Sequence, residues 1–126
     1  MVVRDLIDEA FVGNKHTQRF TITDEDGSVP LDLTTLQIKW GMVPVNSAGQ
    51  FATTPLTLEK NNFGIGGVVI VDGPNGIVDV EIDESDTANL TPTTYYFELE
   101  VQTSLGTDPV VVATGTLTLI PNLVNM

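Results

Sequence analysis

The chain has 126 residues, a net charge of −12 and no cysteine. Its length suits a single domain with its own hydrophobic core, and the lack of cysteine excludes disulfides, thiolate metal sites and a cysteine nucleophile. All five Lys and Arg residues lie within residues 1–60, so nucleic acid is not an expected partner, because binding it depends on basic side chains.

The first 13 residues form an amphipathic leader whose apolar members are Leu6, Ile7, Phe11 and Val12. Charged residues interrupt this segment, which argues against a secretory signal. We predict an N-terminal arm over residues 1–13, outside a folded domain of residues 14–126, which becomes ordered on a partner. No apolar run approaches the roughly 20 residues of a membrane-spanning helix, so no membrane partner is expected.

The region after the leader begins with an alternating segment. Within residues 17–23, Phe20 and Ile22 share one face and polar residues share the other, which predicts a half-buried strand. The acidic, glycine-containing residues 24–27 are typical of a tight turn. Residues 29–33 are predicted to continue as a short edge strand, although Pro30 cannot donate to a ladder.

The clearest alternation lies in residues 35–43, where four apolar side chains share one face: Leu36, Ile38, Trp40 and Met42. This pattern predicts a core strand. A long exposed loop is predicted over residues 44–55, because the segment is rich in Pro, Gly, Asn, Ser and Thr. Leu56 and Leu58 mark a short strand beyond it, and residues 61–67 form another loop.

The second half of the chain shows a hairpin and two longer strands. Residues 68–71 and 77–82 flank an Asn-Gly turn signal and form the hairpin. Residues 84–90 lack alternation and are expected to form one helical turn between two sheets. Residues 95–101 alternate strictly, and residues 110–120 form the last strand.

Turn signals recur about every 8–12 residues, and no segment has sustained helical periodicity, which predicts an all-β antiparallel sandwich of seven or eight strands. The Trp40 strand and the strand of residues 95–101 are expected to face each other at its centre. Trp40 and Tyr95 therefore belong to the core rather than to a carbohydrate site. Tyr96 points outward and is the better candidate for a surface contact.

His16 is the only histidine, so a Ser-His-Asp arrangement could use only this residue. An exposed position at a strand end is the preferred interpretation. Without cysteine or a second histidine, carboxylates are the remaining metal ligands. The acidic group Asp83, Glu84 and Asp86 is interpreted as solvated surface, and the alternative is weak calcium binding together with Asp72 or Asp79.

Glu98 and Glu100 share the outward face of one strand, and Lys39 is expected to neutralise them in part if its strand pairs with theirs. A regular strand without a cleft does not suggest a glycosidase pair. We expect no enzyme activity, no catalytic residues, no cofactor and no metal site.

Residues 85–101 read Ser-Asp-Thr-Ala-Asn-Leu-Thr-Pro-Thr-Thr-Tyr-Tyr-Phe-Glu-Leu-Glu-Val. This stretch resembles the link and the following strand of small immunoglobulin-like domains in tailed-bacteriophage virions, which often combine Asp-x-Thr-x-x-Leu, a Pro-Gly-type turn and Tyr-Tyr. The pattern departs at Thr93 and Thr94, where those domains commonly have glycine. Other segments extend the resemblance over most of residues 17–120: residues 20–27, 31–34 and 113–117.

The resemblance implies an immunoglobulin-like fold and a non-catalytic structural role in a bacteriophage virion. Such a protein binds neighbouring capsid or tail subunits as a capsid decoration or cement protein or, as second choice, as a tail or baseplate attachment protein. It is assembled in the cytoplasm of the bacterial host, as a homo-oligomer or in another symmetric assembly. The expected contact residues are Leu6, Ile7, Phe11, Val12 and Tyr96. The alternative is a carbohydrate- or cell-surface-binding sandwich module, because the fold alone does not fix the function.

Overall fold

Strands make up most of the structure. This computed structural model describes residues 3–23, 29–46, 48–50, 55–103 and 109–122. Its elements in chain order are β1 (Val3–Phe11), β2 (His16–Thr21), β3 (Leu36–Pro44), β4 (Leu58–Asn61), β5 (Val68–Asp72), β6 (Ile77–Ile82), α1 (Glu84–Thr87), β7 (Thr94–Thr103) and β8 (Val110–Ile120). The all-β prediction is confirmed.

The strands form two sheets around one core. The large sheet has the order β1-β8-β7-β3-β4, and the small sheet has the order β2-β6-β5. Neighbouring strands are antiparallel except β1 and β8, which run parallel. This arrangement is an immunoglobulin-like β-sandwich. The predicted hairpin is present as β5 and β6, and the predicted helical turn is present as α1.

Two strand predictions differ from the structure. The strand of residues 95–101 does not face the Trp40 strand: β7 and β3 are neighbours in the large sheet, with Leu99 opposite Trp40. Alternation shows that a strand buries one face, but it does not distinguish a neighbouring strand from a facing one. Residues 29–33 form no regular edge strand. Pro30 makes an isolated bridge with Thr23, and the Leu31 amide donates to the Ile22 carbonyl oxygen at 2.9 Å.

The predicted arm outside the sandwich is the main correction. Val3–Phe11 is an edge strand of the large sheet, with Ile7 beside Thr116 of β8. Its approach depends on Gly115, because a Cβ atom there would come within 2.1 Å of the Leu6 carbonyl oxygen. The described part of residues 1–13 is therefore built into the fold.

The alternation that marks a strand is hard to recognise in β1, because one of its inward positions is polar. Leu6, Ala10 and Val12 pack on the core, as alternation requires. Asp8 shares their parity and interrupts the apolar series. The segment is therefore amphipathic, but its apolar and polar residues do not alternate clearly enough to predict a strand.

Aromatic side chains fill the centre of the sandwich. Trp40 of β3 stacks on Phe97 of β7 with ring centroids 6.0 Å apart, and Phe20 of β2 meets Phe97 edge to face, also at 6.0 Å. In antibody domains a tryptophan packs against a disulfide that joins the two sheets at this place. Here the chain has no cysteine, and the contact between Phe20 and Phe97 joins the sheets instead.

The connection from α1 into β7 has the geometry known as a tyrosine corner. The Tyr95 hydroxyl donates to the Thr91 carbonyl oxygen at 2.8 Å, which fixes the chain as it enters β7. Asp86 of α1 accepts from the Asp83 amide at 2.7 Å and lies 2.6 Å from the Lys60 ammonium. Lys60 is buried on the inner side of β4, so this ion pair holds an edge strand of the large sheet to the helix.

Candidate functional site

The structure divides the four predicted leader residues between two faces of β1. Leu6 and Val12 are partly buried and pack against the core. Ile7 and Phe11 point outward and are 80% and 50% exposed. Of these four residues, Ile7 and Phe11 therefore offer the largest surface for contact with another molecule.

Tyr96 lies on the same outer face of the large sheet. It pairs with Thr116 of β8, which lies beside Ile7 of β1, so the three residues form one row across the sheet. Phe11 forms a second row with Ile120. The outer face thus brings together three of the five residues that the sequence singled out for contact.

The Tyr96 hydroxyl is held in place by a neighbour on its own strand. It donates to Glu98 Oε2 at 2.5 Å. Burial raises the pKa of Tyr96 well above its usual value, and the hydrogen bond to the Glu98 carboxylate and that group's charge raise it further. The ring is consequently a neutral, oriented contact group at ordinary pH.

Acidic side chains surround these contact groups. The outer face carries Glu9, Glu59, Glu98 and Glu100, with Lys39 as its basic member among the described residues. The strand of Lys39 pairs with that of Glu98 and Glu100, as the expected partial neutralisation requires, and Lys39 lies opposite Glu100, but its ammonium forms an ion pair with Glu59 at 3.7 Å. The face therefore combines the exposed apolar side chains of β1 with carboxylates on β1, β4 and β7.

A polar cluster between the sheets was missed by the sequence interpretation. Asp8 Oδ2 lies 2.7 Å from His16 Nε2 and accepts from Gln18 Nε2 at 2.9 Å. His16 is therefore not an exposed strand-end residue, because it turns toward β1. The cluster ties the edge strand β1 of the large sheet to β2 of the small sheet.

The chemistry of this polar cluster indicates a structural role, which is to clamp β1 to β2. Burial alone would raise the pKa of Asp8, but the hydrogen bonds from His16 and Gln18, with the charge of His16, lower it overall. Among the described residues, His16 has no hydrogen bond to a serine or threonine hydroxyl, so no activated nucleophile accompanies the pair. The only signals in the sequence were Asp8, His16 and Gln18 at inward positions of two strands, and nothing local indicated that those strands meet.

Three of the acidic residues considered as calcium ligands are engaged by separate partners. Asp86 pairs with Lys60, Asp79 accepts two hydrogen bonds from Arg19, and Asp72 accepts from Asn75. In the part of the chain that the structure describes, no group of three acidic or histidine residues could hold a metal ion. The described helix, α1, is too short to cross a membrane.

The aromatic residues weighed for a carbohydrate site have different positions. Trp40 is fully buried and Tyr95 is 3% exposed, as predicted for core residues. Burial also raises the pKa of Tyr95.

No family model and no curated protein matches this chain. Among solved structures, it is similar to the natural killer cell receptor NKp44, a triggering partner in natural cytotoxicity, with a TM-score of 0.46, 14% identity, and coverage of 94% of this chain and 98% of that one.

It is also similar to a family 123 glycoside hydrolase from Clostridium perfringens, with a TM-score of 0.43, 10% identity, and coverage of 94% of this chain and 23% of that one. The periplasmic chaperone SfaE has a TM-score of 0.34, 12% identity, and coverage of 95% of this chain and 55% of that one. These likenesses concern shape alone and assign no function.

Proposed function

We propose that this chain is a non-catalytic structural protein that docks on a neighbouring protein subunit through the outer face of its large sheet. The observation that carries the proposal is the exposure of Ile7 and Phe11, at 80% and 50%, on a strand fixed in the sandwich. Leaving two large apolar side chains in water on one strand has a cost that a protein contact would remove.

Position and rigidity support the same role. Ile7 lies in one row with Tyr96, and both are held by regular strand pairing rather than by a loop. Contact groups on strands lose little conformational freedom on binding, which favours affinity. Tyrosine is also enriched at protein interfaces, because its ring is apolar and its hydroxyl is polar.

The charge of the face favours a partner with basic groups over a second copy of this chain. Glu9, Glu98 and Glu100 would meet their own equivalents in a face-to-face dimer, and like charges across an interface are unfavourable. A partner that combines an apolar contact with Lys or Arg would match Ile7 and Phe11 together with the surrounding carboxylates.

The resemblance of residues 85–101 to immunoglobulin-like virion domains supplies the setting: the partner is another subunit of a tailed-bacteriophage virion. Within this proposal a capsid decoration or cement role is the first choice, and tail or baseplate attachment is the second. Virion symmetry would then repeat the contact many times.

The test replaces the exposed apolar groups without disturbing the fold. A chain carrying Ile7→Ser and Phe11→Ser is expressed during assembly, and its amount in gradient-purified particles is compared with wild type by quantitative mass spectrometry. We expect at least a tenfold loss of incorporation, since two central contacts each worth about 1–2 kcal/mol would be removed.

Val69→Ser with Val71→Ser is the control, because these two valines of β5 in the small sheet are also exposed, at 45% and 47%. The control should incorporate normally. Normal incorporation of the Ile7 and Phe11 variant, or equal loss in both variants, would refute docking through this face. A wild-type chain that forms stable dimers dissociated by the Ile7 and Phe11 changes would show self-association instead.

A further inference from the structure

A small pocket lies on the outer face of the large sheet, away from β1. It has a volume of about 220 Å³ and is lined by Gln37, Lys39, Phe63, Glu100, Val101, Gln102 and Pro109. Pockets for drug-sized ligands have volumes of roughly 300–1,000 Å³, so this one suits a single side chain. Glu100 lies four residues beyond Tyr96 along β7, a distance of about 13 Å at roughly 3.3 Å per residue, which places the pocket on the proposed docking face.

Phe63 forms an aromatic wall of this pocket and is 45% exposed. Its loop is held firmly, because Asn61 Oδ1 accepts from the amides of Phe63 and Ile65 at 3.1 and 2.9 Å. The Asn62 side chain also makes two hydrogen bonds to the backbone of β3. It accepts from the Ile38 amide and donates to the Leu36 carbonyl oxygen. The phenyl ring is thus presented to solvent by an ordered loop.

Glu100 supplies a carboxylate that has no partner in the part of the chain the structure describes. Lys39 stands directly opposite Glu100 in the pairing of β3 with β7, yet its ammonium is drawn to Glu59 at 3.7 Å. Glu98, the nearest carboxylate on the same face, differs because it accepts from Tyr96. No described residue therefore prevents Glu100 from interacting with a group of another molecule.

The glutamines complete the polar lining. Gln102 Nε2 donates to Gln37 Oε1 at 3.0 Å, which orients both amides. The side-chain oxygen of Gln102 is then a second acceptor in the pocket lining, two residues beyond Glu100 on β7. An aromatic face, a carboxylate and an amide oxygen together form a set suited to a planar cation with several donors.

We propose that this pocket binds the guanidinium group of an arginine side chain from the docking partner. The source of the arginine rests on the proposed function, whereas the chemistry of the pocket stands on its own residues. A guanidinium can stack on Phe63 while it donates to Glu100, and it donates to two acceptors at once. A lysine ammonium has no planar face to stack and is more strongly hydrated, so it fits the set less well.

The experiment titrates the isotopically labelled full chain with small probes and follows amide chemical shifts. The probes are N-acetyl-arginine methylamide, its lysine counterpart, and the uncharged isostere N-acetyl-citrulline methylamide. We expect the arginine probe to saturate the signals of Gln37, Phe63 and Gln102 with a dissociation constant on the order of 1–10 mM, as suits a contact by one side chain. The lysine probe should bind several times more weakly, and the citrulline probe should not saturate.

Variants assign the interaction to residues. Glu100→Gln should weaken binding about tenfold because the charge-assisted bond is lost, while the matched control Glu98→Gln should stay within about twofold. Phe63→Ala should weaken binding about three- to fivefold, with Ile65→Ala of the same loop as its control. Lys39→Gln should strengthen binding about twofold, because a competing cation is removed.

The pocket assignment is overturned if citrulline binds as tightly as arginine, if Glu100→Gln matches Glu98→Gln, or if methyl β-glucoside saturates the pocket in place of arginine. These measurements use the isolated chain, so they can succeed or fail independently of particle incorporation. If Glu100→Gln loses the arginine probe but enters particles normally, the assignment of the arginine to the virion partner is wrong.

Discussion

The two sheets are joined differently at the centre of the sandwich and at its margin. At the centre, Phe97 contacts Phe20 across the sheets through aromatic packing alone. At the margin beside β1, Asp8 joins the sheets through hydrogen bonds to His16 and Gln18. Apolar packing does not depend on protonation and has little directionality, whereas the polar contact needs one charge state and one geometry. The margin is therefore the part of the fold that solution conditions can loosen.

The opposite margin of the large sheet uses the same kind of contact. Lys60 of the edge strand β4 reaches Asp86 of α1 at 2.6 Å. Gly67 makes room for the lysine stem, because a Cβ atom there would come within 2.4 Å of Lys60 Cδ, and its positive φ of 88° also favours glycine. Both edge strands of the large sheet are thus fastened by a buried or half-buried polar pair.

Phe97→Ala should destabilise the centre of the sandwich most. Removing this fully buried ring leaves a cavity beside Trp40 and Phe20, and we expect a loss of about 4 kcal/mol in the free energy of unfolding, measured with urea. Phe11→Ala is the control, because that ring is half exposed, and its loss should stay below about 1 kcal/mol. Equal losses in the two variants would show that the centre does not hold the sheets together.

Breaking the margin should have a smaller effect that depends on pH. Asp8→Asn removes the charge that accepts from His16 and Gln18, and we expect a loss of about 2 kcal/mol at neutral pH, measured by urea unfolding. Glu9→Gln, one residue away on the outer face, should change the free energy of unfolding by less than about 0.5 kcal/mol.

The pH dependence follows from the lowered pKa of Asp8. A carboxyl whose folded-state pKa lies below its ordinary value of 3.8 contributes stability above that value and loses it as the pH falls through the folded pKa. The difference between wild type and Asp8→Asn should therefore be constant at neutral pH and shrink in acid below about pH 4. A difference that persists or grows at low pH would contradict the clamp.

The smallest of the three effects concerns the entry into β7. Tyr95→Phe removes the hydroxyl that donates to Thr91 at 2.8 Å, and a loss of about 1 kcal/mol is expected in the same unfolding assay. Amide hydrogen exchange should rise locally around residues 88–94. A global rise with unchanged exchange in that segment would show that the tyrosine acts through packing rather than through its hydroxyl.

The contrast between centre and margin also separates what could and could not be predicted. The strands of the core were recognisable because Phe20, Trp40 and Phe97 lie on alternating apolar faces, and the period of two survives in any sheet arrangement. The strand β1 was misassigned as an arm because Asp8 occupies an inward position. Its partners His16 and Gln18 come from a strand in the other sheet, and only the folded chain brings the three together.

The same limit applies to the candidate site. Tyr96 was recognisable as an outward residue from its place in the alternation, and Ile7 and Phe11 were recognisable as apolar residues that needed a partner. Their row on one face depends on the parallel pairing of β1 with β8. The pocket near Glu100 adds Phe63 from a separate loop, which no local pattern connects with β7.

By itself the sequence determined the fold class, the positions of most strands and the apolar identity of the core, because these depend on local alternation and on turn chemistry. Only the tertiary structure decided which strands are neighbours, that the leader closes one edge of the large sheet, and which polar groups meet. Those outcomes depend on contacts between residues that are distant in the chain. Sheet order and register decide which of these side chains meet, and no short segment specifies either.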